Sequence, residues 1–195
     1  MMSTSTRIIA GVAALASAVV VSSCSKTEDH SAHASSTTTT TSEQVAAHNA
    51  HDVMFAQMMI PHHQQAVELA ALVPDRSTNP AVVKLATTIS GEQQPEITAM
   101  KALLVQWEVD PGADHSDMPM DGMVDDATMA KLQSLKGAEF DTLWLQSMIS
   151  HHQGAIAMAG GEVAAGQSPD MISMAKNIVT AQQAEIDQMK QMLGG

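Results

Sequence analysis

The sequence has few aromatic side chains, almost no cysteine and little positive charge. Its 195 residues include two Phe, two Trp and no Tyr. The single cysteine, Cys24, excludes an internal disulfide. Nine Lys and Arg stand against 21 Asp and Glu, for a net charge of −12. So acidic a chain repels phosphate backbones, which argues against nucleic acid as a partner. It also raises the local concentration of cations. Acidity alone is enough to keep an exported protein soluble, so charge permits a cation ligand without naming one. What replaces the aromatics is methionine, with 16 copies. Met fills irregular cores and is also a soft thioether ligand. Its positions must decide between the two.

The first residues have the layout of an export signal. Arg7 supplies a positive start, Ile8 to Val21 is nearly all Ile, Ala, Val and Leu, and Val21-Ser22-Ser23 precedes Cys24. The apolar run is short for a permanent membrane span. Residues 1–23 therefore read as a lipoprotein signal peptide, with Cys24 as the lipidation point that tethers the protein to the cell membrane on its extracytoplasmic side. The alternatives are an ordinary signal peptide with a coincidental cysteine, or an anchor that is never removed. Cleavage would remove only Arg7 among the charged groups, leaving −13. Residues 24–47 are rich in Ser, Thr and Ala and cannot bury enough surface to order themselves, so they read as a flexible tether.

The remainder, residues 48–195, is a tandem duplication. DVMFAQMMIPHHQQAVELA from Asp52 aligns with DTLWLQSMISHHQGAIAMA from Asp141, and the same offset of 89 residues aligns the segments from Pro80 and Pro169. Between Asp52 and Leu104, 19 of 53 positions are identical to their counterparts without a gap. In each copy the apolar positions recur at spacings of three and four. Phe55, Met59, His62, Ala66, Leu69 and Val73 make one stripe; Val82, Leu85, Ile89, Gln93, Glu96, Met100, Leu103 and Trp107 make the next. Trp144, Met148, His151, Ala155 and Met158, then Ile178, Gln182, Glu185, Met189 and Met192, repeat them. Turn residues between Pro74 and Pro80, and again near Gly166 to Pro169, separate the stripes. The expectation is an all-α, antiparallel four-helix bundle built from two helical hairpins, about 50–107 and 138–193. Asp110 to Asp126 reads as a loop and Ala127 to Leu135 as a short extra helix. Pro61 and Pro95 fall inside helices that should continue through them and bend there. Such a bundle satisfies its own stripes, so a monomer is the default, and no protein partner is implied.

On a wheel of about 100° per residue, with Phe55 at zero, Met59 falls near 40°, His62 near 340° and His63 near 80°. The second copy gives the same angles for Met148, His151 and His152. Gln93, Glu96, Gln182 and Glu185 also point inward, at about the same level. Buried imidazoles and carboxylates are costly unless paired or bound to a cation. Two readings stay open: a closed His–Glu–Gln network that sets helix register, or a metal site in which Met59 and Met148 join the histidines as ligands suited to Cu(I). The loop His115-Ser-Asp-Met118-Pro-Met120-Asp-Gly-Met123 favours the metal, because packing has no evident need for three Met there. Two further pairs, His30/His33 and His48/His51, precede the bundle.

The segments MMIPHHQQAVELA (58–70), MISHHQGAIAMA (148–159), the paired QxxEIxxM (93–100 and 182–189) and GMVDDATMAKLQSLKGAEFD (122–141) resemble the bacterial family called domain of unknown function 305. The resemblance spans about 50 to 193. It implies a ferritin-like four-helix fold, export and, for some members, copper or silver binding with a role in metal tolerance. Met59, His62, His63, Met148, His151 and His152 match the motif. The leading expectation is thus a membrane-anchored lipoprotein that binds soft metal, Cu(I) foremost, for sequestration or metal tolerance, with Glu96, Glu185, His115, Met118, Met120 and Met123 as further candidate ligands. The alternatives are a metal-free structural or partner-binding lipoprotein and a dinuclear-metal oxidase. The oxidase wants Glu-x-x-His pairs; Gln93-x-x-Glu96 and Gln182-x-x-Glu185 have no His three residues on. No catalytic residue is expected.

Overall fold

A computed structural model describes residues 47–112 and 120–194. Five α-helices make up its regular structure: α1 (Ala50–Leu72), α2 (Pro80–Gln106), α3 (Asp126–Ser134), α4 (Gly137–Ala165) and α5 (Pro169–Met192), with a 3-10 turn at Val73–Asp75. Among the described residues there is no strand.

Local chemistry sets the helix starts. Asn49 and Asp52 form a reciprocal capping box on α1: the Asn49 side chain accepts from the Asp52 N–H at 3.1 Å, and Asp52 accepts from the Asn49 N–H at 2.6 Å. Asn79 and Ser168 cap α2 and α5, each followed by a proline at the first helical position, where no N–H is needed. Pro61 and Pro95 lie within unbroken helices.

α1 and α2 form one hairpin, α4 and α5 the other, and the two meet chiefly through α1 and α4, with only light contact between α2 and α5. α1 and α4 run antiparallel. The Asn49 side chain donates to the Ala165 carbonyl at 2.9 Å at one end, and the Trp144 indole donates to the Leu69 carbonyl at 2.9 Å at the other. The α1–α2 turn also clamps the start of α4: the Arg76 carbonyl accepts from the Gly137 N–H, and its guanidinium donates to the Gln133 carbonyl.

The core is two apolar clusters, and every long helix contributes to both. Leu69, Leu85, Ile89, Phe140, Trp144, Met148 and Met189 belong to one; Phe55, Met59, Ile97, Met100, Trp107, Met171 and Ile178 belong to the other. Along each helix the change of cluster falls at the polar positions: His62/His63 in α1, Gln93 in α2, His151/His152 in α4, and Gln182/Glu185 in α5. A polar layer thus divides the core. Burial of each large apolar side chain on either side contributes roughly 1.5–3 kcal/mol.

Some positions differ from the periodic reading. Leu104 rather than Leu103 is fully buried, and Ala159 takes the core place expected of Met158, which is half-buried, as are Met192 and Glu96. α2, α4 and α5 rotate these residues toward the edge of the shared face. His51 does not precede the bundle; it lies in the first turn of α1.

Candidate functional site

The polar layer holds four histidines with no exposed surface: His62 and His63 on α1, His151 and His152 on α4. The wheel placed His63 and His152 at the margin of the stripe. They are buried because α1 packs against both α2 and α4, and α4 against both α1 and α5, which widens the buried arc. The His62 and His151 rings face each other with centroids 3.8 Å apart and planes 36° apart. The outer two each meet a carboxylate on the neighbouring helix of their own hairpin. His63 Nε2 lies 2.8 Å from Glu96 Oε2, and His152 Nε2 lies 2.7 Å from Glu185 Oε2.

Burial, reinforced by the nearby His63, pushes His62 down to about 3, against a weak opposing pull from the Asp121 carbonyl. Burial and the His62, His152 and His63 charges likewise hold His151 well below the ordinary imidazole range, although the His62 carbonyl partly offsets this. Both are neutral imidazoles at pH 7, the form that ligates metal. His62 Nε2 is 3.4 Å from the Asp121 carbonyl, a long contact that suits Nε2–H as donor.

The layer is not the closed network that was one expectation. The Nδ1 atoms of all four histidines are buried without a hydrogen-bond partner in the protein, as are His151 Nε2, both amide atoms of Gln93 and the Gln182 oxygen. A neutral imidazole that gives its Nε2–H to a carboxylate keeps a lone pair on Nδ1. The carboxylate fixes ring orientation and raises the basicity of that lone pair, the usual outer support of a metal-ligating histidine. Glu96 and Glu185 stand in that supporting position. Unpaired imidazole nitrogens of this kind are donors that suit copper as well as zinc, iron or nickel. Among the described residues, no three His, Cys, Asp or Glu side chains converge as a ready ligand set.

Met59 and Met148 flank the layer, buried one in each apolar cluster and one helical turn from His62 and His151. Met120 and Met123 are half-buried and border a segment that crosses the layer. Gln65 on α1 exchanges two hydrogen bonds with the Val124 backbone, at 2.8 and 2.7 Å. On α4, Gly154 lets the Asp121 backbone approach so closely that a Cβ there would collide with the Asp121 carbonyl. Gly122, at φ +84°, lies against Ser150 and His151. Gln65 and Gly154 occupy the same position in the two copies. One copy bonds the loop and the other makes room for it. Periodicity missed this role, and the Gln-to-Gly difference in otherwise matching HHQ segments was its only sign. His115, Met118 and Cys24 lie outside the described residues, as does the tether up to residue 46.

The family model for domain of unknown function 305 (DUF305) matches residues 52–193. The chain belongs to the DUF305 family. A crystal structure of a DUF305 protein from Streptomyces coelicolor, described as a candidate secreted protein, is similar at 34% identity and TM-score 0.70, over 74% of this chain and 92% of that one. A DUF305 fragment from Deinococcus radiodurans is similar at 36% identity and TM-score 0.68, over 75% and 97%. CopM in its Cu(I)-bound form is similar at 33% identity and TM-score 0.60, over 72% and 94%; CopM structures with Cu(II) and with silver also match. No curated protein matches the sequence. Among the described residues, no helix is long and apolar enough to cross a membrane.

Proposed function

We propose that this DUF305 protein is a binding protein for soft metal ions, Cu(I) foremost, which it sequesters outside the cytoplasm while held to the membrane through a lipid on Cys24. The observation that carries the reading is the set of four buried imidazole Nδ1 atoms with no partner, two of them on rings whose other nitrogen meets a carboxylate. Leaving such groups unpaired is costly, and a bound cation removes the cost. Copper and silver in the CopM structures support the same chemistry. Burial, then the Glu185 and Glu96 charges, raise the Glu92 carboxyl above the ordinary range, which places a third carboxyl close to those two at the edge of the layer. In this reading His62, His63, His151 and His152 are the inner ligands, and Met59, Met148 and the loop residues His115, Met118, Met120 and Met123 supply capture and exchange.

The test is Cu(I) titration of the purified chain against a competing chelator, with Zn(II) as control. Tight binding that weakens at least tenfold in His62→Gln/His151→Gln supports the site; unchanged affinity in that variant refutes it. The lack of a converged ligand trio favours one rival, a metal-free polar layer that fixes helix register. It predicts that the same variant loses stability equally with and without Cu(I). The absence of Glu-x-x-His pairs speaks for binding rather than turnover. Replacement of Cys24 by Ser should release the protein from the membrane fraction if the lipid anchor is real.

A further inference from the structure

A second polar feature lies beyond the histidine layer, where the first turns of α1 meet the last turns of α4. A cavity of about 120 Å³ there is lined by His51, Met54, Phe55 and Met58 of α1 and by Met158, Gly161 and Glu162 of α4. His51, Met54 and Met58 share one face of α1 at spacings of three and four, and Met158 and Glu162 share one face of α4. Three thioethers and an imidazole therefore open onto one small space.

Glu162 makes this more than a gap in packing. It is 2% exposed, and neither of its carboxylate oxygens receives a hydrogen bond from the protein. Its polar neighbour is Asp52, a carboxylate that has no hydrogen to give when ionised. Asp52 itself is well satisfied, accepting from the backbone N–H groups of Asn49, Gln167 and Ser168 at 2.6–3.1 Å. Glu162 is thus the carboxyl without a donor: if ionised, it is an uncompensated buried charge. A carboxylate in this position is expensive unless a cation joins it.

The duplication provides an internal comparison. At the same offset, Phe140 stands for His51, Leu143 for Met54, Ser147 for Met58, Leu69 for Met158 and Val73 for Glu162. Phe140, Leu69 and Val73 are fully buried members of one apolar core cluster. Apolar packing thus suffices at this position of the fold, and only one copy replaces it with sulfur, imidazole and carboxylate around a cavity. Packing demands nothing of the kind.

We propose that this cavity is a second soft-metal site, which takes Cu(I) or Ag(I) on the Met54, Met58 and Met158 sulfurs and the His51 imidazole, with Glu162 as counter-charge. One monovalent cation and one carboxylate leave the site electrically neutral, while thioether and imidazole are the donors such ions prefer. The site shares no ligand with the histidine layer, so each can fail without the other.

The experiment is a silver titration of the full chain carrying ¹³C-methyl methionine, read by NMR and by calorimetric stoichiometry. The methyl signals of Met54, Met58 and Met158, assigned by single Met→Leu variants, should move on addition of Ag(I). Met58→Leu/Met158→Leu should bind one equivalent fewer than the parent chain. The three shifts should persist in His62→Gln/His151→Gln. Glu162→Val, which installs the residue of the other copy, should keep the helical circular dichroism and weaken binding here at least tenfold. Unmoved methyl signals at saturating silver, or an unchanged stoichiometry in the double Leu variant, overturns the proposal. An unchanged stoichiometry in His62→Gln/His151→Gln would instead strike at the histidine layer and leave this site standing.

Discussion

Replacing Gly154 by Ala tests whether the inter-hairpin loop is seated on α4. An Ala in place of Gly within a helix normally stabilises by up to ~1 kcal/mol, through lower chain entropy and better propensity. At Gly154 the added Cβ would enter the Asp121 carbonyl and press on the Gly122 backbone. Relief requires the loop to lift, and lifting breaks the paired bonds between Gln65 and Val124. Each such bond contributes about 1 kcal/mol net, and forced overpacking, at the low end because the loop can yield, costs a further ~1 kcal/mol. The net expectation is a loss of about 2 kcal/mol after the propensity gain. Gly160, on the same helix, is the control: nothing lies within 4 Å of a Cβ there, and the position is exposed. Gly160→Ala should gain ~0.5–1 kcal/mol. Urea unfolding at constant m would register the two changes as midpoint shifts of opposite sign. At ~2–4 °C per kcal/mol the melting temperatures should separate by roughly 5–12 °C. Equal shifts in the same direction would mean that the loop does not rest on Gly154.

Trp144→Phe removes the indole N–H that holds the Leu69 carbonyl at 2.9 Å. With a buried acceptor left alone and ring volume lost, it should cost about 2–3 kcal/mol in denaturant melts, and a change under ~0.5 kcal/mol would refute the role given to this bond. In the metal-free protein, burial first and then Asp52 push Glu162 up to about 8. A carboxyl raised in the folded state favours the protonated form. Its contribution is present below the unfolded pKa of about 4.5 and is lost as pH rises through about 8. Glu162→Gln should therefore gain on the parent between pH 5 and pH 8 by on the order of 3 kcal/mol, read as urea midpoints in chelated buffer. A gap that stays constant with pH would show that Glu162 titrates normally.

The fold was legible because duplication doubled each signal. The stripe through Phe55, Met59 and His62 and its copy through Trp144, Met148 and His151 give the same helix face. Asn79-Pro80 and Ser168-Pro169 mark the turns by chemistry that survives the exchange of residues. The inward setting of His62, His151, Gln93 and Gln182 follows from the same periodicity and agrees with their burial. His63 and His152 fell at the margin because a wheel describes one helix, whereas their burial depends on two neighbours packed at different angles.

The remainder was hidden by the same symmetry that revealed the fold. A repeat makes matching residues conspicuous and differing ones look like drift. Gln65 against Gly154, and Val73 against Glu162, read as unrelated substitutions until the loop and the α1–α4 contact give each a physical reason. The two layers of polar chemistry thus differ in kind. The histidine layer is two-fold, deep and supported by carboxylates from both hairpins, an arrangement suited to retention. The Met-bordered loop across it and the Met-lined cavity near the start of α1 are one-sided, partly exposed and absent from the symmetry-related position. An ion that enters from solvent needs donors it can reach before it loses its water, and among the described residues the asymmetric features offer them. If the two proposed sites hold metal, the more exposed thioethers would govern how fast it is acquired and the buried imidazoles how long it stays, so Met-to-Leu changes and His-to-Gln changes should separate association from dissociation.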